Sequence, residues 1–349
     1  MVGVLSAGTA SAGTSIGIDF ADAGLQSGVG STLARVETLL RQTVISADPL
    51  VTDAARHLVD AGGKRFRPLL VALAAQFGVA GVPDEVPDDV VKAAAVVELT
   101  HLATLYHDDV MDEALVRRGA PSANARWGNS VAILTGDYLF ARAADLAAEL
   151  GVEAVRIQAA TFSRLVHGQI AETSGPRAGE LQLDHYLRVV AQKTGSLIAT
   201  SARYGAMFGG APVAQVAALA GYGETIGIAF QLSDDLLDIA SESAQSGKTP
   251  GTDLREGVPT LPVLYALASD DADAASVRLR EILAAGPVAD EQLLAEALVL
   301  LRESDSVKRA RETVRSYAEQ ARGCLADLPG CPAREALESL CDVIADRTG

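Results

Sequence analysis

Apolar residues recur along most of this chain at spacings of three and four. Leu33, Val36, Leu39 and Leu40 form one stripe within 32–44, which predicts an amphipathic helix. Longer, nearly continuous apolar stretches cover 90–111, 131–150, 155–172, 181–208 and 213–239. Each exceeds the length of an ordinary strand and reads as a buried helix. Turn-forming Gly and Pro separate them at 78–87, 119–121, 175–176, 209–212 and 241–262. No alternating pattern recurs often enough to build a sheet. The pattern predicts an all-α domain of about ten or more helices over residues 31–349. Residues 1–30 are rich in Gly, Ala and Ser, show no sustained apolar period, and read as a flexible tail.

Composition agrees with this. The 349 residues are 49% hydrophobic but only 4% aromatic. The prevalence of Ala and Leu favours helix, because these side chains lose little freedom there. With 29 basic against 45 acidic residues the net charge is −16. Such a surface argues against nucleic acid or an anionic membrane as the main partner, and makes the few basic clusters stand out. Cys324, Cys331 and Cys341 fit no zinc spacing and are an odd number, so they read as thiols in a reducing compartment. No uncharged apolar run is long enough to span a bilayer, and the first basic residue is Arg35, which argues against a signal or transit peptide. The expectation is a cytoplasmic protein.

The chemistry concentrates in two acidic clusters. Asp108, Asp109 and Asp112 form a DDxxD pattern inside the first long apolar stretch; Asp234, Asp235 and Asp238 repeat it inside the last. On a helix the first and last acids of each cluster share a face, with the middle one about 100° away. Carboxylates so placed repel, and apolar flanks raise the cost. A divalent cation removes the conflict, and an all-oxygen ligand set suits Mg²⁺ shared with phosphates. Acidic pairs such as Asp88–Asp89 and Asp270–Asp271 are ordinary solvated faces; two apolar-flanked triads are not. The basic residues point to diphosphate as the anion. Arg117 and Arg118 follow the first cluster, Gly62 and Gly63 precede Lys64, Arg65 and Arg67, and Lys193–Thr194 and Lys248 lie near or after the remaining helices.

These motifs resemble the trans-isoprenyl diphosphate synthase (polyprenyl synthetase) family. The matching segments are GGKRFRP at 62–68, ELTHLATLYHDDVMDEALVRRG at 98–119, KT at 193–194, FQLSDDLLD at 230–238 and GKTPGTDLREGVPTLP at 247–262. The resemblance implies the isoprenoid synthase fold, a homodimer, and Mg²⁺-dependent condensation of isopentenyl diphosphate with an allylic prenyl diphosphate. By position it implies Asp108, Asp112 and Asp234 as principal metal ligands, supported by Asp109, Asp235 and Asp238. Lys64, Arg67, His101 and Arg118 would bind isopentenyl diphosphate. Arg117, Lys193, Thr194, Gln231 and Lys248 would contact the allylic diphosphate or the loop that closes over it. His107 has no such role and reads as structural. Many members carry a lysine where Val258 follows Gly257; Arg255 is the nearest substitute.

In the family a tunnel beside the first aspartate helix sets product length. Ala103 and Thr104, five and four residues before Asp108, are small. They imply a medium- or long-chain all-trans product rather than farnesyl, with transient membrane contact as the product leaves. The alternatives are a shorter-chain synthase and a non-catalytic subunit of a heteromer. The second is disfavoured because all six aspartates are present. A terpene cyclase would usually lack the second DDxxD and the GGKRFRP cations.

Overall fold

The structure is a computed structural model and describes residues 20–78, 86–240 and 250–347. Lys248 and most of the presumed tail, residues 1–19, lie outside the described residues. Among the described residues the only strands are the two-residue pair Val116–Arg117 and Ala120–Pro121; the remainder is helices and their connections.

The first helix, α1 (Ala23–Thr43), corrects the expected domain boundary. Asp22 Oδ1 accepts the Leu25 N–H at 2.6 Å and caps the helix, and Leu25 and Val29 extend the buried stripe of Val36 and Leu40 backwards. Residues 23–30 are therefore helical. Three glycines, Gly24, Gly28 and Gly30, had diluted the apolar period there without abolishing it.

Helices α2 (Pro49–Asp60), α3 (Phe66–Ala75) and α4 (Asp88–Met111) follow, then the hairpin, α5 (Ala123–Trp127), α6 (Asn129–Glu149) and α7 (Val152–Ser174). The stretch 181–208, read as one helix, divides into α8 (Gln182–Val190), a π-helical turn over Ala191–Gly195, and α9 (Ser196–Phe208). Next come α10 (Val213–Ala240), α11 (Thr252–Glu256), α12 (Leu261–Leu267), α13 (Ala274–Ala284), α14 (Glu291–Glu303), α15 (Asp305–Cys324) and α16 (Pro332–Asp346).

Two buried clusters share the load. One is built on α1, α2, α4, α6 and α7; the other on α3, α10 and α12–α16. Helix α9 contributes to both, with Leu197 and Tyr204 facing the first and Ile198, Ala202 and Ala206 the second. Each aspartate cluster ends the central helix of one half. Helix α4 packs on α3, α6 and α9, while α10 packs on α9 and α15. Alone among the described helices, α10 has the length and hydropathy of a membrane span; its packing partners and its four acidic residues account for it as a core helix.

Glycines set the closest approaches. A Cβ on Gly223 would stand 2.8 Å from Ala199 Cα, and one on Gly227 3.0 Å from Gly195 Cα. Helix α10 thus meets α9 and the π turn backbone to backbone, which fixes the second aspartate cluster relative to Lys193 and Thr194. A Cβ on Gly136 would overlap His107 Nε2 at 2.3 Å, so α6 lies equally close to α4. His107 Nε2 reaches Ile133 O at 3.1 Å, consistent with a structural part. Buried tyrosines bolt the layers together: Tyr106 accepts Leu58 N–H at 3.3 Å, and Tyr222 donates to Leu337 O at 2.8 Å, joining α10 to α16.

Candidate active site

The first cluster straddles the C-terminus of α4, where its three carboxylates enter different surroundings. Asp112 is the exposed C-cap, its N–H bonded to Asp108 O at 2.8 Å. Asp108 is half-buried one turn earlier. Burial pushes its carboxyl up to about 6, opposed by Lys193 and reinforced by Asp112. Asp109, on the other side of the helix, is fully buried, and its Oδ1 accepts Arg117 Nε at 2.6 Å. The hairpin carries Arg117 back to this point. Asp109 is thereby withdrawn from the open face and holds Arg117 in place, a different task from the ligand role implied by resemblance.

The second cluster divides the same way. Asp234 is 39% exposed and pairs with Arg347 Nη2 at 2.7 Å. Asp235 is buried; its Oδ1 accepts Gln231 Nε2 at 2.9 Å and its Oδ2 accepts the Tyr186 hydroxyl. Burial pushes Asp235 up to about 6 against those two hydrogen bonds, with Asp234 and Asp238 adding to the rise. Thr194 Oγ1 donates to Gln231 Oε1 at 3.0 Å, so Thr194, Gln231 and Asp235 form one chain. Asp238 accepts the N–H groups of Thr252 and Asp253 at 3.3 and 3.2 Å, tying the end of α10 to the first turn of α11.

Beside the first cluster stands Lys193. The π turn carries it, and Gly168 admits that turn: a Cβ there would lie 3.0 Å from Lys193 N. Its Nζ reaches Glu172 Oε2 at 2.6 Å. Burial opposes its charge, yet the fields of Glu172 and Asp108 outweigh that and leave its pKa above the ordinary lysine value. The ammonium thus belongs to the Asp108 neighbourhood.

Arg67, His101 and Arg118 gather around a buried carboxylate. Arg65, at φ +48°, is buried and donates to Glu98 Oε1 at 2.8 Å and to Glu37. The Glu98 field also reaches Arg67 and Arg118. Arg118 donates to Leu58 O at 3.1 Å and to Gly62 O. A Cβ on Gly63 would come within 3.0 Å of the Arg118 guanidinium, and Gly63 has φ +143°, so glycine is required on both counts. Burial, with Glu98 opposing and Arg118 reinforcing, brings Arg67 down to about 10, and its buried Nε has no partner. His101 is held well below the usual imidazole range by burial and then by Arg67 and Arg118. Lys64 is exposed at the rim. Such crowding of cations is stable only near an anion, and Glu98 supplies part of one.

Sequence reasoning gave no role to Glu98, Tyr186, Glu172 and Arg347, and counted Arg65 only as one of three cations beside Gly62 and Gly63. The ion pairs of Arg65 with Glu98 and Lys193 with Glu172 join residues far apart in the chain, where no local pattern marks them. Arg255, the suggested substitute for the missing lysine, is committed elsewhere: it makes a two-pronged ion pair with Glu291 at 2.6 and 2.8 Å.

Among the described residues no three acidic, histidine or cysteine side chains converge on one point. Mg²⁺ takes oxygen donors, one or two carboxylates together with waters and substrate phosphates. Asp108 and Asp112, one turn apart, and the part-exposed Asp234 provide such a donor set.

The chain is similar to known proteins. The polyprenyl synthetase family model matches residues 48–301. The chain is 53% identical over 333 residues to nonaprenyl diphosphate synthase of Mycobacterium tuberculosis (strain ATCC 25618 / H37Rv), covering 95% of this chain and 97% of that one. It is 44% identical over 327 residues to dimethylallyltranstransferase of the same organism, covering 93% and 97%. Among solved structures, geranylgeranyl pyrophosphate synthase from Corynebacterium glutamicum, complexed with calcium and isoprenyl diphosphate, superimposes with a TM-score of 0.84 at 44% identity, covering 95% and 100%.

Proposed function

Because the chain belongs to the polyprenyl synthetase family and is a prenyltransferase, we propose that it condenses isopentenyl diphosphate with an allylic prenyl diphosphate to give a medium- or long-chain all-trans polyprenyl diphosphate. The observation that carries this reading is the pair of part-exposed aspartate clusters, with Lys193 beside the first and its neighbour Thr194 linked through Gln231 to the second, and a separate cation nest around Glu98.

In this reading Asp108, Asp112 and Asp234 hold Mg²⁺, and Asp109, Asp235 and Asp238 position Arg117, the Thr194–Gln231 chain and the first turn of α11. The metal supplies positive charge for the leaving diphosphate. Lys193 and Arg117 add fixed positive charge where negative charge grows as the allylic carbon–oxygen bond breaks. Arg67, Arg118, Lys64 and neutral His101 bind the diphosphate of the second substrate and orient its double bond toward the allylic carbon. A proton then leaves the new carbon skeleton, and the released diphosphate is its nearest base. Lys248 would contact the allylic diphosphate. The apolar walls of α4, α7 and α9 exclude water from the carbocation.

The likeness to a nonaprenyl synthase and the small half-buried Thr104 support a long product. Two relatives named for shorter products, at 44% identity each, support the shorter-chain alternative. Chromatography of the products made from farnesyl diphosphate, isopentenyl diphosphate and Mg²⁺ decides between them. No elongation at all would favour a non-catalytic subunit and overturn the proposal. The same reading places the enzyme in the cytoplasm, with transient membrane contact for product release, as a homodimer. For the dimer the support is an apolar face on α6 and α7, where Leu134 is 66% and Ile170 58% exposed beside Phe162 and Val166.

A further inference from the structure

The end of α16 delivers a cation to the second aspartate cluster. Arg347 Nη2 donates to Asp234 Oδ1 at 2.7 Å, and the Arg347 side chain is only 17% exposed. Its guanidinium carbon lies 5.0 Å from the centre of the Phe230 ring, one turn before Asp234. Phe230 in turn stacks on Phe66 at 4.7 Å, inside the segment that carries Lys64 and Arg67. The helix presenting Arg347 is anchored: Leu337, Leu340, Cys341 and Ile344 are buried, and Leu337 O accepts the Tyr222 hydroxyl of α10. The contact is therefore set by packed elements, with the arginine stem held against an aromatic face.

Asp234 is 39% exposed, while Asp235 is buried and Asp238 accepts the backbone of α11. With three acids within about five residues of helix, the cluster needs a counter-charge whether or not a metal is bound. A guanidinium and a divalent cation compete for the charge of Asp234 and repel each other when both are drawn to one carboxylate. We propose that Arg347 is the resident counter-ion of Asp234, and that a divalent cation binds there by exchange, displacing the guanidinium from the carboxylate. Arg347 keeps Asp234 oriented and solvated by charge before loading, and it weakens metal binding until the substrate diphosphate adds its own oxygens. This rests on the reading of Asp234 as a metal ligand.

The test is Mn²⁺ binding to the full chain without diphosphate, followed by the electron paramagnetic resonance of free Mn²⁺. The proteins are wild type, Arg347→Gln, Arg347→Met, Arg347→Lys and Asp234→Asn. Methionine keeps an apolar stem over Phe230 should glutamine disturb the fold. The expected result is Mn²⁺ binding that Asp234→Asn weakens, about fivefold tighter in Arg347→Gln and Arg347→Met, the scale of one partly exposed ion pair. Arg347→Lys should return it toward wild type. Equal or weaker binding in both neutral variants overturns the exchange while leaving Asp234 as a ligand. Binding that Asp234→Asn does not alter in any background overturns the ligand reading and the exchange with it.

Discussion

Arg117 Nε donates to Asp109 Oδ1 at 2.6 Å, and Asp109 has no exposed surface. The pair separates two aspartates that are neighbours in sequence into different tasks. Removing Asp109 leaves the part-exposed Arg117 without its charge-assisted hydrogen bond, at a cost of about 1.5–3 kcal/mol. Asp109→Ala is expected to unfold at clearly lower urea concentration. Asp112→Ala removes an exposed C-cap carboxylate, so its stability should stay within about 0.5 kcal/mol of wild type while turnover collapses. Urea titrations of both variants check this; equal stabilities would sink the division of labour.

That division shows how far the sequence could be read. The apolar periods located α4, α6, α7 and α10 to within a few residues, because long buried helices write a strong pattern. The six aspartates were visible for the same reason. Which of them face the site was not, since it depends on Arg117 returning through the hairpin, on Tyr186 reaching Asp235, and on Asp238 binding the backbone of α11. The π turn at Ala191–Gly195 was equally hidden: its one extra residue per turn leaves no compositional mark, and Gly168 on another helix makes room for it.

Arg67 is held down to about 10 by burial among other cations, and its Nε lacks a partner. An incoming diphosphate relieves that crowding, so Arg67 should matter to one substrate more than the other. Arg67→Gln is expected to raise KM for isopentenyl diphosphate at least about tenfold, the loss of one charge-assisted contact, with KM for the allylic substrate little changed. Separate titrations of the two substrates measure it. A matched rise in both would refute the assignment of this arginine.

The raised carboxyls of Asp108 and Asp235, both about 6, give a signed pH dependence. Their unfolded value is near 3.8, so between about 4 and 6 the native state binds more protons than the unfolded one. The metal-free protein should therefore lose stability as pH rises through that window. Asp108→Asn should flatten the slope. Mg²⁺-dependent turnover should run the opposite way, falling as pH drops below about 6, because protonated Asp108 is a poor ligand. Denaturation midpoints against pH, with and without the substitution, test the sign.

Leu134 and Ile170 expose large apolar surfaces on α6 and α7 in a chain that is otherwise strongly acidic. If this face joins two copies, a charge buried there is costly. Leu134→Glu combined with Ile170→Glu is expected to give a monomer by light scattering with its helical circular dichroism retained. A variant that remains dimeric would place the interface elsewhere.

Product length is the finest claim, and the structure separates the two residues offered for it. Ala103 is fully buried, and its carbonyl lies 3.1 Å from where a Gly136 side chain would begin. Thr104 is half-buried and, four residues before Asp108, shares its face of α4. One further turn along that face Thr100 Oγ1 meets Gln158 Nε2 of α7 at 3.5 Å. A prenyl chain growing from Asp108 along α4 would pass Thr104 and then meet the Thr100–Gln158 contact. Thr104→Phe is therefore expected to shift the product toward farnesyl or geranylgeranyl length at nearly unchanged stability. Ala103→Phe should chiefly overpack the α4–α6 contact, costing about 1–3 kcal/mol or more. Gln158→Ala, which opens the next level, should lengthen the product. Reversed-phase chromatography of the dephosphorylated products resolves all three, and an unchanged distribution in Thr104→Phe would mean the chain leaves the site along another wall.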